Sequence, residues 1–185
     1  LVTRTLAAQA RHARVALGLW QLNAVDNAPE LQWRLARREA FDSLSALVQA
    51  TQRSLSEPRA VRPPLEPLGR LLALSYQLLA QLTTVKTMLL QQRGRLTPNE
   101  IDLPLQQTAQ TIEAALGLGA MSLQTDRPAT TALEWSVLGD PFDGDLSPWL
   151  LRRLQLADSI ALQLRANADQ VVRELATPVE DKPAR

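Results

Sequence analysis

Residues 65–92 read LEPLGRLLALSYQLLAQLTTVKTMLLQQ, and the spacing of their leucines decides the fold. Leu65, Leu68, Leu72, Leu79, Leu82 and Leu89 recur at helical pitch and form one apolar row. Leu71, Leu74, Leu78 and Val85 form a second row beside it. A surface helix needs one apolar stripe; a helix with two adjacent stripes needs neighbours on two sides. The spacing therefore predicts a central helix over residues 65–92, with other helices packed around it.

The flanking sequence supplies those neighbours. Upstream, Leu6, Ala10, Ala13, Leu17 and Trp20 step by four and three along a helix expected over residues 2–23. Asn27 is placed to cap the next helix, expected over residues 28–56, and Glu30 stands where a capping-box acid belongs. The seam expected on that helix is Phe41, Leu44, Val48, Thr51 and Leu55, and Pro58, Pro63 and Pro64 end it. Downstream, Thr97-Pro98-Asn99-Glu100 reads as a capping box with proline at the first helical position. Ile101, Leu105, Thr108, Ile112 and Ala115 mark the buried face that follows, and the helix weakens near Gly117-Leu118-Gly119. A short helix is expected over residues 128–138, carrying Leu133, Trp135 and Val137, with Gly139 as its C-cap. Ser147-Pro148 opens the last helix, whose row runs Leu150, Leu154, Ala157, Ala161, Leu164, Ala168, Val171 and Leu175. The expected fold is an all-α, antiparallel bundle of about five long amphipathic helices, plus one short helix in the link between the fourth and fifth. Residues 1–176 are expected to form a single helical-bundle domain, and residues 177–185 a disordered tail.

Composition agrees and excludes several functions. Leu, Ala, Gln and Arg dominate, which favours helix, and the seven glycines are too few for the turns of an all-β fold. Twenty basic residues against nineteen acidic ones leave a net charge of +1, so no field draws the chain to nucleic acid, and no nucleic-acid partner is expected. Cysteine is absent, which excludes disulfides and thiolate chemistry. The longest uncharged run, residues 71–85, includes Ser75, Gln77, Gln81, Thr83 and Thr84 and falls short of the roughly 20 apolar residues of a membrane span. The first residue is Leu1 rather than Met, from which a piece of a longer protein is expected.

No residue constellation promises chemistry. His12 is the sole histidine, and a lone imidazole without partners reads as a surface or boundary residue. Asp140, Asp143, Gly144 and Asp145 lack the register of a calcium loop and read as a turn and helix cap. Gly117-Leu118-Gly119 follows no strand, so it is no dinucleotide fingerprint. No catalytic residue, cofactor or metal site is expected, and the chain does not read as an enzyme. The candidate contact residues are Arg34, Arg37, Arg38, Trp33 and Trp135. The three arginines form a compact basic stripe, in which Arg34 and Arg38 share a face and Glu30 can pair with Arg34. Such a stripe serves lipid headgroups, an acidic partner, an anionic small molecule, or merely a solvated face with local ion pairs. Trp20, Trp33, Trp135 and Trp149 fall near helix ends or in the link, where a tryptophan caps a core or meets a partner. Arg152 and Arg153 sit at the unfavourable end of the last helix and are expected to pair with acids.

Trp33, then Ala36-Arg37-Arg38-Glu39-Ala40, then Glu57-Pro58, with the leucine-rich helix after it and an amphipathic helix before it, carry a family pattern. This segment resembles the conserved stretch of the fusaric-acid-resistance-like (FUSC, YccS-type) bacterial inner-membrane proteins. The specific motif covers residues 33–58 and the broader pattern residues 1–120. Phe41-Asp42 stands where many relatives have His-Asn, and Ser54 where methionine is frequent. The resemblance implies a cytoplasmic domain at the bacterial inner membrane, joined to a transmembrane part of the same polypeptide and forming a homo-oligomer. It implies an assembly or regulatory role in an exporter of aromatic carboxylic acids or other toxic compounds. Two rival readings are a ligand-sensing bundle, with an arginine holding the carboxylate of an aromatic acid, and a soluble adaptor or scaffold.

Overall fold

Each run of apolar periodicity forms a helix: α1 (Val2–Gly18), α2 (Ala28–Ser54), α3 (Leu65–Gln91), α4 (Pro98–Leu116) and α5 (Ser147–Ala176). Single turns of 3-10 helix, Leu19–Gln21 and Arg93–Arg95, follow α1 and α3. The computed structural model describes residues 1–21, 28–58, 63–117 and 144–176. Among these the protein is an all-α bundle without strands. The short helix expected over residues 128–138, with Trp135, lies outside the described residues, as do Asn27 and the tail from 177.

Helix α3 occupies the centre, packed against α1, α2 and α5, and its contact with α5 is the most extensive in the bundle. Both leucine rows explain this placement. Leu68, Leu71, Leu74, Leu78, Leu82, Val85 and Leu89 enter the main core beside Ile101 and Ile112 of α4 and Leu150, Leu154 and Leu164 of α5. Leu79 faces Ala40 and Leu44 of α2 in a smaller cluster. Each buried leucine contributes roughly 1.5–3 kcal/mol by leaving water. The faces expected on α1, α4 and α5 are buried as spaced, except that Leu175 is exposed near the end of α5.

Helix directions follow from the residues that touch. Thr5 meets Ser43 and Arg11 meets Glu39, so α1 and α2 are antiparallel. Trp33 meets Lys86 and Phe41 meets Tyr76, so α2 and α3 are antiparallel. The next pair differs: Thr97 bonds Ser147 and Thr108 bonds Asp158, so α5 runs parallel to α4 and begins beside its start.

Two expectations on local detail change. The buried stripe of α2 is Trp33, Ala36, Ala40, Ser43, Leu44 and Leu47, while Phe41, Val48 and Thr51 are half-buried and Leu55 lies in the turn beyond the helix, 48% exposed. Small residues cause the rotation. Ser43 meets Thr5 of α1 and Ala40 meets Leu79 of α3, and side chains this small let the neighbouring helices approach closely where a larger apolar row would have held them off. The capping box at Thr97 does not close either. The Thr97 side chain makes no bond to the first turn of α4; its hydroxyl donates to Asp145 Oδ2 at 3.0 Å.

Candidate functional site

The basic stripe resolves into two environments on α2. Arg34 and Arg38 lie on its outer face, where Glu30 takes Arg34 at 2.7 Å and Asp42 takes Arg38 at 3.6 Å. These are solvent-exposed i,i+4 pairs, which contribute a few tenths of a kcal/mol at most. Beside them stand Leu31 and Leu35, each 59% exposed. Arg37 turns to the edge of the helix, with its guanidinium carbon 5.6 Å from the Trp33 ring centre and 5.0 Å from that of Phe41. The structure therefore groups Arg34 with Arg38 and separates Arg37 from them.

Trp33 points inward and is only 8% exposed. Lys86 of α3 places its ammonium 3.9 Å from the indole centre, and Ala16 of α1 and Leu19 of the turn after it pack against the same side chain. Cations over an indole face are stabilised by its quadrupole, which sets Lys86 and Arg37 around this ring. The His12 ring lies 6.2 Å from the indole, centre to centre, at an interplanar angle of 42°.

His12 is fully buried, contrary to its expected surface or boundary position. The reason is that α1 buries two faces. Leu6, Ala10, Ala13, Leu17 and Trp20 face the main core, and Thr5, Gln9, His12, Ala16 and Leu19 are also buried, with Thr5, His12, Ala16 and Leu19 meeting α2 or Trp33. Both nitrogens of His12, both polar atoms of the Gln9 amide and the Trp33 Nε1 lack a hydrogen-bond partner among the described residues. Burial, followed by the nearby positive charge of Arg37, lowers the His12 pKa from 6.5 to about 4, so the imidazole is neutral at pH 7.

A groove of about 470 Å³ opens where the end of α1 meets the start of α4, lined by Arg14, Leu17, Trp20, Asp102, Leu105 and Gln106. Trp20 is part of this lining. The indole N–H donates to Asp102 Oδ1 at 2.5 Å, and Arg93 stacks over the ring at 4.5 Å while donating to the Trp20 carbonyl at 2.8 Å. The volume is that of a small-molecule site, and Arg14 supplies a cation suited to an anion. This groove was not legible beforehand, because it joins residues about ninety positions apart. At the start of α5, Arg153 donates to Gln81 of α3 at 3.0 Å, an amide in place of the expected acid.

Among the described residues no group of three His, Asp or Glu side chains is placed to hold a metal. No described helix is long and apolar enough to cross a membrane. Comparison with protein-family models, with curated proteins and with solved structures gives no match.

Proposed function

We propose that this chain is a cytoplasmic assembly or regulatory domain of a FUSC-type bacterial inner-membrane transporter, an exporter of aromatic carboxylic acids or other toxic compounds. It acts through protein–protein contacts. The supporting observation is the outer face of α2, where Leu31 and Leu35 stand 59% exposed beside Arg34 and Arg38. The helix that carries the family-like motif thus keeps apolar side chains uncovered next to charged ones, as a docking surface requires. The partners in this reading are the transmembrane part of the same polypeptide and a second copy of the chain.

The reading frame that encodes the chain tests the proposal. Apolar spans of about 20 residues joined to this segment support it. A complete frame with no such span refutes it.

The groove beside Trp20 favours a second reading, a sensor of small aromatic acids, in which Arg14 takes the carboxylate and Leu17 and Leu105 take the ring. A thermal-shift series with hydroxybenzoates and fusaric acid checks it. Ligand at a hundred times its Kd raises stability by about 2.7 kcal/mol, and an unchanged Tm at millimolar ligand refutes the sensor.

A further inference from the structure

We propose that the seam between α1 and α2 is an acid-sensitive latch: protonation of His12 releases α2 while the core built by α1, α3, α4 and α5 stays folded. The proposal goes beyond the transporter reading and does not depend on it.

The geometry has three parts. First, the seam stands largely apart from the main apolar core. Of α2 only Leu47 joins the main core, and the rest of its buried stripe is Trp33, Leu44 and the small residues Ala36, Ala40 and Ser43. Helix α2 packs mainly on α1 and far less on α3. Second, the seam is polar inside. Gln9 and His12 are fully buried, and their side-chain nitrogens and oxygen have no hydrogen-bond partner among the described residues. Unpaired polar groups in a dry interface weaken it, and a charge there weakens it far more.

Third, the charges around His12 offer an imidazolium no ready anion. From α2, Arg37 stands near enough to oppose its protonation. From α3, Lys86 occupies the face of Trp33, the ring next to His12. The acid of α2 on this side, Glu39, is held by Arg11 of α1 at 2.7 Å. From α4, Asp102 is engaged by Trp20 near the far end of α1. A proton on His12 therefore meets the positive charge of Arg37, while Glu39 and Asp102 are each engaged elsewhere. Separating α2 from α1 would bring the imidazolium into water and relieve this.

The sign follows from linkage. The latched imidazole binds its proton at about 4 and a released one at 6.5, so the released state gains protons first as pH falls. The stability that the neutral imidazole leaves to the latch is full above about pH 6.5 and is progressively lost between 6.5 and 4. Between pH 7 and pH 5 the opening equilibrium of α2 rises by about twentyfold.

Two measurements test this. His12 is the sole histidine of the chain, so its imidazole C–H resonance titrates without ambiguity in the unaltered protein. A midpoint below pH 5 is expected; a midpoint at or above 6 overturns the proposal. Amide hydrogen exchange, corrected for intrinsic rates, then compares pH 7 with pH 5. Protection over α2 is expected to drop by about twentyfold while α3 and α5 keep theirs, and His12→Gln is expected to abolish the pH effect. Protection of α2 that is unchanged, that is lost together with α5, or that still falls in His12→Gln overturns it. Where His12→Gln fails to fold, His12→Phe takes its place, since it fills the site without a proton.

Discussion

Replacing Asp145 by alanine tests how α5 is tied to the start of α4. Its Oδ1 accepts the Ser147 backbone N–H at 2.9 Å and the Ser147 hydroxyl at 2.6 Å. Its Oδ2 accepts the Thr97 hydroxyl at 3.0 Å. Ser147 in turn accepts the Thr97 backbone N–H at 2.8 Å, and Leu146 donates its N–H to the Arg95 carbonyl at 2.8 Å. One carboxylate thus caps α5 and fastens the two parallel helices at their common end. Loss of a helix cap costs about 1 kcal/mol, and loss of the bond to Thr97 about another. The sum of about 2 kcal/mol lowers Tm by roughly 4–8 °C in a chain of this length. The bonds from Ser147, side chain before backbone, hold the Asp145 carboxyl below its usual 3.8. A depressed carboxylate contributes its stability above the unfolded value and loses it as pH falls through the folded one. The gap in Tm between the parent chain and Asp145→Ala is therefore full at pH 7 and narrows below about pH 4. Calorimetric melts across that range read both. A gap under 1 °C at pH 7, or one that stays constant down to pH 3, would falsify the reasoning, and Asp145→Asn, which keeps one acceptor oxygen, is expected to fall between the two.

Four further substitutions probe the packing and the outer face. Ala40 is fully buried beside Leu79 of α3, so Ala40→Leu overfills the seam of α2 with its neighbours and lowers unfolding free energy by about 1–3 kcal/mol in urea titrations. Unchanged stability there would show the seam to be loose. A Cβ on Gly117 would stand 2.5 Å from the Glu113 carbonyl oxygen and 2.6 Å from Glu113 Oε1, so Gly117→Ala must displace the last turn of α4 and cost about 1 kcal/mol or more. A neutral result in thermal melts argues against that close approach. The pair Leu31→Glu and Leu35→Glu touches exposed positions and is expected to change stability by no more than about 0.5 kcal/mol each while weakening assembly of the full-length protein on native gels. Assembly identical to the parent would remove the outer face of α2 from the proposed function.

What was legible in the sequence follows the size of the side chains. The rows on α3, α4 and α5 each carry several leucines or isoleucines at helical pitch, whose burial is strong enough to set the helix's rotation. Their faces were therefore readable. Helix α2 was read with the wrong rotation because half of its buried stripe is Ala36, Ala40 and Ser43, which scarcely register as apolar but permit close helix approach. Helix directions up to α4 followed from short links. The parallel pairing of α5 could not follow, because a link of some thirty residues allows either direction.

The candidate site divides along the same line between local and distant contacts. The Glu30–Arg34 pair was legible since residues four apart on a helix are neighbours in any fold. The surroundings of Trp33 were not, because Lys86 and His12 arrive from two other helices whose register no local rule supplies. One sign was present nonetheless. Thr5, Gln9, His12, Ala16 and Leu19 repeat at steps of four and three beside the apolar row of α1, and all five are buried. A helix whose second face carries small and uncharged polar residues at that period is a helix packed on two sides. Scoring only the large hydrophobes reads that face as solvent, and so mistakes a polar interface for an exposed one.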